Sequence, residues 1–128
     1  MDGLGGVLVG LGHDIQIIHE MEQAEGLQIP GLFFTEAEFA YCHSKKLPFQ
    51  SMAGLFSAKE ALFKALQGLI SFYWTDAEIL HRPNRAPYFA FHGVLAEEMT
   101  RQQLQAHVSI SHSGDYASAI VILSLADF

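Results

Sequence analysis

The chain has 128 residues, 14 acidic against 7 basic side chains, a net charge of −7 with histidines neutral, and a hydrophobic half. This suits a single domain, residues 1–128, able to bury a core, and the acidic balance argues against a nucleic-acid partner, which wants a basic face. No apolar run approaches the roughly 20 residues of a membrane span; with no basic secretory leader and one cysteine, Cys42, lacking a partner for an internal disulfide, we expect no membrane association and a reducing, cytoplasmic setting.

Along the chain, Val7, Val9 and Leu11 alternate with Leu8, Gly10 and Gly12, which predicts a strand from about Val7 to Ile17. Thr35 followed by Glu38 is a capping box, so a short helix should begin near Glu36. The clearest element is a helix from about Pro48 to Leu66, with Met52, Leu55, Phe56, Lys59, Leu62, Phe63 and Leu66 on one stripe. Pro48 suits its first turn and Gly68 its C-cap. Two strands, about Trp74–Leu80 and Pro87–His92, flank a Pro83-Asn84-Arg85 turn and form a predicted hairpin. A helix from about Val94 to Gln105 follows, then strands at about His107–Ser111 and Tyr116–Leu125 joined by Ser113-Gly114-Asp115. Helices mixed with antiparallel hairpins indicate an α+β fold, an antiparallel sheet packed against the long helix.

Several clusters could carry chemistry, and each has an ordinary reading beside it. Gly3, Gly5, Gly6, Gly10 and Gly12 resemble a dinucleotide loop only in composition, since no strand precedes them and no helix follows directly; Gly10 and Gly12 better suit close approach of another backbone. Asp14, at the end of an apolar strand, is either a solvated strand end or a carboxylate that needs a cation. Glu60 and Lys64, one turn apart, make an ordinary solvated helix pair, or with Lys59 they hold Mg²⁺ and a phosphate. In Ser109-Ile110-Ser111-His112-Ser113-Gly114, alternation puts the three serines on one face, which suits an anion as well as a plain polar strand end. A Ser–His nucleophile lacks its nucleophile-elbow context. The seven histidines contain no metal-binding pair at helical spacing. Cys42 is expected to be structural.

These weak clusters occur in one order, and in that order the chain resembles the phosphopantetheinyl transferases of the short holo-acyl-carrier-protein synthase type. The resemblance rests on Gly10-Leu11-Gly12-His13-Asp14-Ile15, on Phe56-Ser57-Ala58-Lys59-Glu60-Ala61-Leu62-Phe63-Lys64, and on Ser109-Ile110-Ser111-His112-Ser113 with Tyr116-Ala117. Asn84-Arg85-Ala86-Pro87 is similar to the family's Asn-Gly-Lys-Pro turn.

The resemblance implies the family fold and an enzyme that transfers 4′-phosphopantetheine from coenzyme A to a serine of an apo carrier protein, in fatty-acid or related biosynthesis, as a homotrimer. It implies Asp14 and Glu60 as ligands of Mg²⁺, Glu60 and Lys64 as catalytic residues, and Lys59, Lys64, Ser111, His112 and Ser113 as coenzyme A contacts. The chain departs from the pattern at Leu55, where the family has Arg; at Ile17, where it has Glu; at Glu20, where it has a basic residue; and at Gly68-Leu69-Ile70, where it has Gly-Thr-Gly. Two alternatives stand beside the transferase: a catalytically degenerate binding protein of the same fold, which the missing Arg and the acidic balance motivate, and an unrelated metal-dependent hydrolase. Lys45, Lys46 and Arg101 are the candidate cations for carrier docking, with Met21 and Leu27 as an apolar alternative.

Overall fold

Residues 7–126 are described by a computed structural model; Gly3, Gly5 and Gly6 lie outside the described residues. The order of elements is β1 (Leu8–Ile17), α1 (Glu20–Gln23), α2 (Glu36–His43), α3 (Pro48–Leu66), β2 (Ala77–His81), β3 (Pro87–Phe91), α4 (Gly93–Arg101), β4 (Leu104–Ser113) and β5 (Tyr116–Leu125), with 3-10 turns at Glu25–Gln28 and Trp74–Asp76. β1, β5 and β4 form an antiparallel sheet in that spatial order, and β2 and β3 form a separate antiparallel hairpin. The long helix α3 lies against all three strands of the larger sheet. This is the expected α+β arrangement.

Local signals set most boundaries. The Thr35 hydroxyl accepts from the backbone N–H of Glu38, whose carboxylate in turn accepts from the N–H of Thr35, so α2 starts on a complete capping box. Pro48 opens α3. At its other end the left-handed turn begins one residue earlier than expected, at Gln67 (φ 52°), with Gly68 (φ 78°) continuing it. Three predictions are corrected. Trp74–Asp76 winds into a 3-10 turn before β2, α4 ends at Arg101, and the polar stretch from Leu104 belongs to β4. The short helix α1 was not read from the residue pattern, because four residues carry no resolvable helical period.

The core lies between α3 and the sheet. Ala117, Ala119, Val121 and Leu123 of β5 alternate inward and are buried, while Tyr116 and Ile120 point outward. α3 buries more than the predicted stripe. Met52, Leu55, Lys59, Leu62 and Leu66 are inside, Phe56 is half-buried, and Phe63 is exposed. A second face of small residues, Gly54, Ser57, Ala58, Ala61 and Ala65, is equally buried. Hydrophobicity alone does not mark that face; contact with a backbone does.

At Gly12 a β-carbon would overlap the carbonyl oxygen of Ala61 and come within 2.7 Å of the Ala65 nitrogen, and at Gly10 it would lie 2.5 Å from the Ala65 oxygen. Both strand glycines thus let α3 rest directly on β1, as their spacing suggested. Gly12→Ala is expected to cost at least about 2 kcal/mol, because the backbones must part to admit the methyl group. Urea unfolding measures this, and an unchanged midpoint would contradict the close approach.

Candidate active site

The seam between β1 and α3 positions the acidic residues. Alternation turns Gly12 and Asp14 toward α3 and leaves His13 and Ile15 exposed on the other face. The small face of α3 meets them in register. The Ser57 hydroxyl donates to the backbone carbonyl of Asp14 (2.8 Å), Ala61 meets Gly12, and Ala65 meets Gly12 and Gly10. Residues 57, 61 and 65 are one turn apart, so Glu60 and Lys64, each one position earlier, flank the seam.

Lys64 Nζ donates to Asp14 Oδ1 (3.1 Å) and to the carbonyl of His13 (3.0 Å), and Gln16 Nε2 donates to Asp14 Oδ2 (2.6 Å). Asp14 is nearly buried, while the Lys64 side chain is 51% exposed and faces solvent. Glu60 makes no hydrogen bond or ion pair among the described residues. Burial first, and the charge of Asp14 second, push its carboxyl above the usual range, with Lys64 opposing.

Asp14 is therefore paired with the half-exposed Lys64 ammonium, and Glu60 stands close enough to feel the charge of both. An arrangement of this kind favours an added cation. No cluster of three or more His, Cys, Asp or Glu able to hold a metal occurs among the described residues. Asp14 and Glu60 are two carboxylates of the kind that a hard ion such as Mg²⁺ takes.

Lys59 is not brought to this site. Its Nζ lies wholly inside the core and donates to Glu38 Oε1 (2.7 Å) and to the carbonyls of Phe33 (3.0 Å) and Trp74 (3.0 Å), which uses all three protons. The expectation that Lys59 contacts coenzyme A is corrected on that geometry. Glu38 is the hub of the pair: its Oε1 also accepts from the N–H of Thr35 and its Oε2 from the N–H of Ile79 (2.8 Å). Burial pushes the Glu38 carboxyl up and the Lys59 ammonium down; the attraction and hydrogen bond between the two groups oppose both shifts, and the N–H groups of Thr35 and Ile79 further oppose that of Glu38.

Ser111, His112 and Ser113 are all exposed; the two serines lie on the outer face of β4, while His112 lies on the α3 side with its Nε2 3.1 Å from the Gln50 carbonyl in the N-terminal half of α3. Within one chain the three are not gathered around Asp14. His112 instead borders a cavity between α3, β4 and the β2–β3 turn, shared with Tyr41, Ser51, Leu55, His81 and Arg85. The Tyr41 and His81 rings stack at 4.1 Å, and Lys45 Nζ lies 4.6 Å over the Tyr41 ring. No carboxylate lines this cavity.

A profile of the 4′-phosphopantetheinyl transferase superfamily matches residues 10–121. The chain belongs to that family. It is 35% identical over 124 residues to a holo-[acyl-carrier-protein] synthase of Protochlamydia amoebophila, covering 91% of this chain and 98% of the relative. It is 41% identical over 90 residues to one of Myxococcus xanthus, covering 70% of this chain and 71% of the relative. The structure of a Helicobacter pylori holo-[acyl-carrier-protein] synthase in complex with coenzyme A superposes with a TM-score of 0.75 at 30% identity, covering 89% of this chain and 99% of that one. The chain is thus a transferase of the short synthase type, with the fold of that group.

The transferase adds two residues to those the motifs indicated. Gln16 fixes the Asp14 carboxylate, and Glu38 neutralises Lys59. A polar residue at i+2 from Asp14 was the available signal for the first; for the second it was a capping-box glutamate ahead of a lysine set in an apolar stripe. The two motif lysines separate on stability. Lys59→Ala leaves Glu38 buried without its cation and should cost about 3–5 kcal/mol. Lys64→Ala removes a half-exposed pair and should cost at most about 1 kcal/mol. Urea denaturation of both variants checks this, and equal midpoints would contradict the assignment of Lys59 to the core.

Proposed function

We propose that the chain transfers the 4′-phosphopantetheine group of coenzyme A to a serine of an apo acyl carrier protein or related carrier domain, with Mg²⁺ held by Asp14 and Glu60. The observation that carries this is the seam itself: Asp14 paired to Lys64, with Glu60 beside them and unpaired. The coenzyme A in the Helicobacter pylori complex supports the choice of donor.

In the reaction the carrier serine oxygen bonds to the phosphorus that bears pantetheine, the pyrophosphate P–O bond breaks, and adenosine 3′,5′-bisphosphate leaves. Lys64 offers its half-exposed ammonium to the pyrophosphate as a point charge. Asp14 is held on both oxygens, by Lys64 and Gln16, and so presents a fixed carboxylate. Glu60, with its raised carboxyl, is the chain's own candidate to take the serine proton. When bound, Mg²⁺ would neutralise charge developing on the leaving phosphate.

The cavity that Arg85 and His112 border and the serines of β4 also belong to this reading. Ser111, Ser113 and Asp14 lie on opposite faces of the sheet, so one copy cannot gather them around one ligand. The outer face carries Leu11 (65% exposed), Ile15 (58%) and Ile120 (44%), which is apolar surface suited to burial between copies. A homotrimer with coenzyme A bound between neighbouring copies accommodates both facts.

For the carrier, the groove beside Gln16 is the fitting place. It is walled by Met21, Leu27, Leu32, Phe33, Phe56 and Trp74. The candidate cations lie elsewhere or line no part of it: Lys45 sits over Tyr41 at the other cavity, and Arg101 pairs with Glu98 on α4. Docking in this reading is chiefly apolar.

Asp14→Ala and Glu60→Ala should each abolish transfer with the fold retained, and Lys64→Ala should lower turnover by roughly 100-fold. Mass spectrometry of apo carriers incubated with enzyme, coenzyme A and Mg²⁺ measures this directly. Full activity of either carboxylate variant at low millimolar Mg²⁺ would refute the site.

A further inference from the structure

The groove beside Gln16 carries charge of one sign. Its floor is aromatic: the Phe33 ring stacks on Phe56 with 4.8 Å between ring centres and lies 4.9 Å from Trp74. Leu32 stands beside these rings in the wall and is 60% exposed. A bare leucine next to three aromatic rings is surface that an apolar partner covers at a gain. On the other side, α1 and the 3-10 turn after it contribute Glu20, Met21, Ala24 and Leu27.

No lysine, arginine or histidine lines the groove. The sequence has no lysine or arginine at all before Lys45. The charge present is negative. Glu20 lines the groove, Glu22 follows Met21 directly, and Glu25 sits between two lining residues, Ala24 and Gly26. All three are exposed, and none makes an ion pair or hydrogen bond among the described residues. Gln16, also in the wall, donates to Asp14 and so brings a fourth carboxylate next to the groove. The lysines of α3 do not offset this, because Lys59 is paired with Glu38 inside the core and Lys64 with Asp14.

We infer that this groove takes a carrier whose docking face is apolar and flanked by lysine or arginine, and that it discriminates against a carrier whose docking face is flanked by carboxylates. The inference rests on the proposal that the chain modifies a carrier bound in this groove. The apolar floor supplies the affinity, and the glutamates select among partners. Carboxylates brought up to Glu20, Glu22 and Glu25 meet like charge, which slows encounter and penalises the docked state; ammonium or guanidinium groups there are attracted. The selection is sensitive to salt, because the glutamates are exposed and their field is screened within about 8 Å at physiological ionic strength.

One apo carrier in two forms tests this: a carrier with Asp and Glu flanking the apolar face around its serine, and the same carrier with those residues changed to lysine. With coenzyme A and Mg²⁺ at low salt, wild type should show kcat/KM about tenfold or more higher for the lysine form. Added salt should raise the rate with the acidic form and lower it with the lysine form. The Glu20→Lys, Glu22→Lys, Glu25→Lys triple variant should abolish or invert the preference. Leu32→Ser should lower kcat/KM for both forms by about tenfold and leave KM for coenzyme A unchanged. Urea midpoints of these variants should stay close to wild type, since the altered side chains are exposed. A wild-type preference for the acidic form, or a preference that the triple variant leaves unmoved, would overturn the charge selection. An unaffected Leu32→Ser variant would show that the carrier docks elsewhere and would overturn the inference as well. Transfer to neither form by wild type would overturn the transferase reading itself.

Discussion

The direct contact of α3 with β1 is the constraint on which the rest depends. Two glycines, Gly10 and Gly12, face a stripe of small residues at Ser57, Ala61 and Ala65, and neither side has a side chain that could hold the two apart. Packing of this kind fixes register to within a fraction of a residue, because any larger group would separate the backbones. The acidic site follows from it. Glu60 and Lys64 flank the contact stripe, Asp14 lies at the end of the glycine track, and the three meet without any residue reaching far.

A second restraint sets the rotation of α3 from its opposite side. The buried Lys59–Glu38 pair connects α3 to the cap of α2, to the N–H of Ile79 in β2, and to the carbonyls before α2 and β2. A buried pair of this kind is weak evidence of net stability, since desolvating both charges costs about as much as their attraction returns. Its value lies in specificity of position: ammonium and carboxylate are satisfied only at one setting of the helix. The adjacent residues Lys59 and Glu60 thus divide the labour, one anchoring the helix inside and the other presenting a carboxylate outside.

Much of this was legible in the sequence. The strand through Asp14, the helix from Pro48 to Leu66, the hairpin and the final strands follow from period, caps and turn residues, and the glycine track indicated close backbone approach. The boundary errors have local causes. Trp74–Asp76 has the composition of a strand but is held as a 3-10 turn, with the Trp74 carbonyl accepting from Lys59, a residue fifteen positions away in sequence. The motif order exposed the acidic site, yet it could not separate the two lysines, because both occur in the same short motif and differ only in which face of the helix they occupy. Lys59 lay on the apolar stripe, and that position, more than its place in the motif, foretold its burial.

The central claim is that the seam makes one cation site from two carboxylates on different elements. Magnesium titration by isothermal calorimetry in the presence of saturating coenzyme A tests it most directly, in wild type and in the Asp14→Asn and Glu60→Gln variants. The account predicts saturable binding in wild type, weakened about tenfold or more in each variant, because each carboxamide removes one charged ligand. Magnesium affinity left unchanged by either substitution would contradict it.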